Sequence, residues 1–157
     1  QVERAILWGF DVTHLDSHMG TLQLRPEFFD VYLDLAVDFG LPVRLSGGST
    51  ERAIGFPFRR LAAEEGVVFP DHFIHVQALG SRAAIKAVLG GLRPGVTEVY
   101  VHPAQDTPEL RAITTDWPAR VDDLDYVTDP DGLAADAAAA GAILIGYREL
   151  RALQQAG

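Results

Sequence analysis

Pro94-Gly95-Val96-Thr97-Glu98-Val99-Tyr100-Val101-His102-Pro103 is the stretch whose reading decides the fold. A Pro-Gly turn opens it. Val96 to Val101 is rich in β-branched and aromatic residues, and Pro103 stops it because proline has no N–H to offer a ladder. The run is mostly apolar rather than alternating, which marks a strand covered on both faces, as in a parallel sheet.

Working outward, four more short runs have the same character: Val12 to Asp16, Val43 to Ser46, Phe73 to Val76 and Ala142 to Ile145. Helical sequence separates them. Val2 to Trp8 reads as a helix end stopped by Gly9. Pro26 suits a first helical turn, and Phe28, Phe29, Tyr32, Leu35 and Phe39 follow at helical spacing until Gly40 and Pro42. Further helices are expected over Phe58 to Glu65, Arg82 to Leu89, Asp116 to Val127, Pro130 to Ala140 and Tyr147 to Gln155, and Ser46 to Thr50 reads as a loop. Alternating strands and helices predict an α/β fold of parallel βα units. No composition shift or repeat divides the chain, so 1–157 reads as one domain.

The 157 residues suffice for one real core, but fall short of the roughly 250 of a complete eight-stranded α/β barrel. A net charge of −9 argues against a non-specific phosphate-binding surface, and so against nucleic acid. With no Cys, thiol catalysis, disulfides and cysteine-based zinc sites are excluded. No apolar run approaches the length of a membrane span, and no signal segment precedes the first helix, so a cytoplasmic location is the expectation.

Ligand groups in parallel α/β folds collect just past the carboxyl ends of strands. Two strands end in such groups: Thr13-His14-Leu15-Asp16-Ser17-His18 and Tyr100-Val101-His102-Pro103. Residues 14, 16 and 18 share one parity in an extended chain. Neighbours two apart are about 6.6 Å from each other, and His14 and His18 would be about 13 Å apart on a straight strand. Either the chain turns after Asp16 so that both histidines reach one ion, or only one is a ligand. His18 is the favoured ligand, with Asp16 orienting a ligand or a bound water. His14, deeper in the strand, is equally readable as a hydrogen-bonded core histidine. His102, at a strand end, can act as acid, base or ligand near neutral pH, or be a surface-turn residue. Arg44 inside an apolar strand calls for a carboxylate or a substrate oxygen. His72 and His75 read as structural. Asp38-Phe39-Gly40 ends a helix, not a strand, so Asp38 receives no catalytic role.

These residues carry a resemblance. Asp11 to His18 is similar to the Thr-His-(Leu/Val)-Asp-Ser-His signature of YdjC/ChbG-like carbohydrate deacetylases, and Gly95 to Pro103 resembles their Gly-Val-Thr-Glu-x-x-x-His-Pro block. Leu41-Pro42-Val43-Arg44, Trp117, Arg120, Leu124, Asp129-Pro130 and Ile145 to Leu150 follow in the family's order. The resemblance implies a distorted TIM-like barrel. It also implies a divalent metal ion, Mg or Zn, activating water to remove an N-acetyl group from an amino sugar or oligosaccharide. It makes His18 a metal ligand and His102 an active-site acid or oxyanion partner.

The family begins with a strand ending in Asp-Asp-Phe-Gly and a Gly-x-His segment, and neither occurs after Gln1. The chain therefore reads as the C-terminal part of a longer protein, inactive alone, with one of three expected metal ligands. The other readings are a metal-assisted hydrolase of another amide or ester, and a non-catalytic carbohydrate-binding or assembly module. Sheet edges left bare by a partial barrel predict pairing with another copy or weak solubility.

Overall fold

The computed structural model describes residues 1–75 and 81–156, the side chains of His75 and Ser81 excepted. In chain order the α-helices are α1 (Val2–Leu7), α2 (Pro26–Phe39), α3 (Gly48–Ile54), α4 (Phe58–Glu64), α5 (Ser81–Leu89), α6 (Pro108–Ile113), α7 (Trp117–Thr128), α8 (Leu133–Ala139) and α9 (Tyr147–Ala156). A 3-10 helix covers His18–Gln23, and the strands are β1 (His72–His75) and β2 (Thr97–Tyr100). The chain forms two compact units: Gln1–Asp71 with Ile145–Gly157, and His72–Leu144.

The first unit is organised by α2. Pro26 starts it, and Gly40 ends it in the left-handed conformation, φ 58°, that favours glycine. The face it buries is Phe29, Tyr32 and Ala36, which lie one and two turns apart. Phe28, expected on that face, is 49% exposed because it sits a quarter turn away from Phe29. Leu15, Leu41, Val43, Leu45, Phe58, Ala62 and Val67 complete the core. Ser46–Thr50, expected as loop, instead runs into α3 from Gly48. α9 belongs to this unit: Arg148 and Arg151 bond the Asp11 carboxylate, and Arg151 also reaches the Val12 carbonyl. The two guanidinium groups hold the Asp11 carboxyl below its ordinary range.

The expected strands Val12–Asp16 and Val43–Ser46 meet at one parallel bridge, Leu15 with Val43. The Leu15 N–H donates to Pro42 and the Arg44 N–H to Leu15, each at 3.0 Å. The ladder goes no further because side chains take its next groups. The Tyr32 hydroxyl donates to the Leu15 carbonyl at 2.7 Å and to the Arg44 carbonyl at 3.1 Å. The Gln23 amide donates to that Arg44 carbonyl and accepts the Ser46 N–H.

In the second unit β1 and β2 pair in parallel, from His72 opposite Thr97 to His75 opposite Tyr100. Phe73 stacks on Tyr100 with ring centroids 5.3 Å apart. Val76, expected to end the first of these strands, lies outside the described residues. His72 is bound by the Pro94 carbonyl and Arg93, a structural arrangement. Helices α5, α7 and α8 pack on one another around Ile85, Tyr126 and Ala137. α8 starts at Leu133, not at Pro130, after a tight return at Gly132. A side chain there would put its Cβ 2.2 Å from the Tyr126 carbonyl oxygen, so only glycine fits. No strand forms over 142–145. Ile143 and Leu144 are exposed, and an apolar run without a neighbouring strand has no ladder to join.

The observed class is helix-rich α/β with parallel strands. Among the described residues no helix is long and apolar enough to cross a membrane.

Candidate functional site

His18 stands where the chain leaves the Leu15 bridge. Ser17 is buried, and its hydroxyl accepts the Leu22 N–H at 2.9 Å, which turns the chain sharply into the 3-10 helix. Met19 and Gly20 then both take left-handed backbone, φ 58° and 65°. That conformation is uncommon for a non-glycine residue, and such strain gathers at functional turns. The result is an exposed His18 and an exposed Met19 on a buried footing.

The same turn shows what became of the neighbouring candidates. Asp16 Oδ2 pairs with Arg44 Nη1 at 2.8 Å, so Arg44 has its carboxylate, and both side chains are partly exposed. The His14 Nδ1 lies 2.9 Å from the Thr13 hydroxyl, and its ring stacks on Tyr147 at 3.8 Å with an 11° interplanar angle. His14 is thus engaged within the unit, and His18 is the imidazole presented to solvent. Arg59 ties the ends of the neighbouring segments together. Its guanidinium donates to the Ser46, Pro70 and Asp71 carbonyls and lies over the Phe69 ring. Burial is the main influence on Arg59 and lowers its affinity for the proton.

His102 belongs to the other unit. It follows β2 by two residues, is exposed, and meets the Tyr100 ring edge-on at 5.4 Å. Pro103 ends any ladder there. The backbone N–H of His102 is met instead by Asp123 of α7, whose Oδ2 accepts it at 3.0 Å. The Ala104 N–H donates to the Arg120 carbonyl, also at 3.0 Å. The Trp117 and Arg120 side chains are occupied locally. Arg111 lies 4.3 Å over the Trp117 ring, and Arg120 pairs with Asp116.

The structure therefore brings Asp16 and Arg44 together and sets His18 and His102 at exposed turns of separate units. Sequence reasoning missed the bracing roles of Gln23, Tyr32 and Asp123 at those turns, and the bonds by which Arg59 ties Ser46 to Pro70 and Asp71. Each is a polar residue in a helix or turn, and only its tertiary partner distinguishes it from a solvated one. The described residues do not by themselves fit a divalent ion. Among them no three His, Asp or Glu side chains gather as a donor set, and a catalytic site needs about three protein ligands.

An α/β chain with a histidine just past each of two parallel-paired segments defines the class. A family model described as YdjC-like protein matches residues 1–135, and the chain belongs to that family. A carbohydrate deacetylase of Thermoanaerobacter pseudethanolicus is 28% identical over 135 residues, 85% of this chain and 50% of its own length. A carbohydrate deacetylase of Geobacillus stearothermophilus is 33% identical over 150 residues, 95% of this chain and 56% of its own. The chain spans about half the length of these curated relatives. In fold it is similar to a crystal structure from Enterococcus faecalis V583, described there as a candidate cellobiose-phosphate cleavage protein. That likeness has a TM-score of 0.72 and 21% identity over 90% of this chain and 54% of the other.

Proposed function

We propose that this chain is the C-terminal part of a distorted TIM-like barrel that hydrolyses N-acetyl groups of amino sugars or oligosaccharides. The observation that carries this reading is the family match over residues 1–135, which takes in both histidine turns. The two relatives named carbohydrate deacetylase agree with it.

In the reaction, water adds to the acetyl carbonyl, the C–N bond breaks, and acetate and a free amine leave. His102 is suited to give a proton to the departing nitrogen, because it is exposed just past a strand end and imidazole is the side chain most often used as a general acid. Arg44 and Asp16 form the polar wall beside the His18 turn, where Arg44 can meet a sugar oxygen by exchanging Asp16 for it. The family resemblance implies a divalent ion, Mg or Zn, which polarises water or a carbonyl when bound. His18 is this chain's main donor toward it, with His14 second. The described residues gather no set of three donors, so on this reading the chain alone is inactive.

The test is acetate release by the full-length protein from an N-acetylated amino-sugar oligosaccharide, with unrelated amides and esters in parallel. The expected result is release that chelator abolishes and a divalent ion restores. His18→Ala should lose that restoration, and His102→Ala should slow turnover by about 10²–10⁴-fold. Equal activity of His102→Ala, or preference for an unrelated ester, would overturn the reading. The incomplete donor set among the described residues favours one second reading, a sugar-binding module without chemistry. Calorimetric binding of the oligosaccharide without metal, and with no acetate released, selects it.

A further inference from the structure

The turn that carries His102 is held in an unusual way, and its holder has no assigned role. Asp123 is 4% exposed on α7. Its Oδ2 accepts the His102 N–H, and its Oδ1 has no hydrogen-bond partner among the described residues. A buried carboxylate oxygen left unmet is costly, and such orphans in native structures call for an explanation. A purely mechanical tether would be cheaper from a neutral side chain.

We propose that Asp123 is the positioning residue for His102. This rests on the reading of His102 as the acid of the reaction. Pro103 has no N–H to carry a ladder past His102, and the His102 N–H takes its partner from a side chain. One oxygen of Asp123 supplies that partner from α7, and the neighbouring bond from Ala104 to the Arg120 carbonyl fixes the other side of the proline. Two bonds to one rigid helix set the direction in which the imidazole leaves the sheet. The second oxygen is buried, so the carboxylate sits where water does not readily replace the His102 N–H.

The experiment is a mutant cycle in the full-length protein, read by acetate release. Asp123→Ala should lower kcat by about 10²-fold, the scale of an ångström-sized misplacement of a catalytic group, with KM little changed. Asp123→Asn keeps an oxygen acceptor for the His102 N–H and should recover most of that loss. The double variant Asp123→Ala/His102→Ala should be no slower than His102→Ala alone, whereas a general structural role would slow both backgrounds alike. An unchanged kcat in Asp123→Ala, or equal slowing in both backgrounds, overturns the proposal.

Should Asp123→Ala not fold, amide hydrogen exchange of the wild-type protein decides. The tether predicts a His102 N–H exchanging at least about 10-fold more slowly than that of exposed Gln105, and equal rates overturn it. The two readings fail separately. Full activity of His102→Ala removes the acid, while an inert His102→Ala beside a fully active Asp123→Ala removes only Asp123.

Discussion

The two units brace their histidine turns with opposite chemistry. Around His18 the braces are neutral: the Tyr32 hydroxyl, the Gln23 amide and the Ser17 hydroxyl all bond main-chain groups. Around His102 and the helices behind it they are carboxylates. Asp123 holds the turn, and Asp136 of α8 accepts from the buried Tyr126 hydroxyl at 2.7 Å and pairs with Lys86 of α5 at 3.2 Å. Each unit even has its own fully buried tyrosine, Tyr32 giving its proton to carbonyls and Tyr126 giving its proton to an anion. Neutral bonds to the main chain are indifferent to pH. Bonds to carboxylates are not.

The largest effect should come from the neutral brace. Tyr32 packs edge-on against Phe29 at 6.3 Å and links the Leu15 and Arg44 carbonyls. Tyr32→Ala removes a fully buried aromatic together with its hydroxyl's bonding to the Leu15 and Arg44 carbonyls. The expected loss is about 3–5 kcal/mol, measured by urea unfolding. A loss below about 1 kcal/mol would mean that α2 does not organise this unit, and the contrast would have no first half.

The next effect separates the units by pH. Burial above all, and then the Asp136 carboxylate, push the Tyr126 phenol up to about 12. A folded-state value above the unfolded one, about 10, means stability that is complete below pH 10. It is lost as pH rises through about 12. Asp136 runs the other way. The Tyr126 hydrogen bond first, opposed by burial and assisted by Lys86 and Arg82, holds it below its ordinary range. Its contribution is therefore present above the unfolded value near 4 and lost as pH falls through the lower folded one. In a spectrophotometric titration one of the four tyrosines should ionise late, and Tyr126→Phe should remove that component and blunt alkaline destabilisation. Retention of the late component in the variant would assign it elsewhere and break the contrast.

The same contrast explains what the sequence made legible. Helices α2, α4 and α5 were readable because their limits are local: Pro26 and Gly40 bound α2, Gly66 follows α4, and Gly90 follows α5, whereas α3 was read as loop and α6 was not expected. Parallel pairing was readable from apolar runs, and β1 with β2 follows it. The full barrel was not. Strands 12–16 and 43–46 stop at one bridge because Tyr32 and Gln23, remote in sequence, occupy the next backbone groups. The run 142–145 has strand composition without a partner, which composition cannot supply. For the site, His18 and His102 were legible because each stands just beyond an apolar strand. Asp123 was not, since Asp122-Asp123-Leu124-Asp125 reads as a solvated helix face and only the His102 N–H singles out one carboxylate from the three.

The smallest expected effect probes the Arg44–Asp16 ion pair of the first unit. Arg44 Nη1 and Asp16 Oδ2 are 2.8 Å apart, with side chains 28% and 38% exposed. Water and salt reach both, so the pair should contribute about 0–1 kcal/mol. Arg44→Ala should accordingly shift the urea midpoint little, and less still in 1 M salt, where screening acts over about 3 Å. Its larger consequence lies at the surface, where Asp16 is released beside His18 and the wall that could meet a sugar oxygen loses its positive charge. Oligosaccharide affinity should therefore fall by more than stability does. A stability loss above about 2 kcal/mol, insensitive to salt, would place a buried ionic brace at the His18 turn as well. The two units would then differ in degree rather than in chemistry.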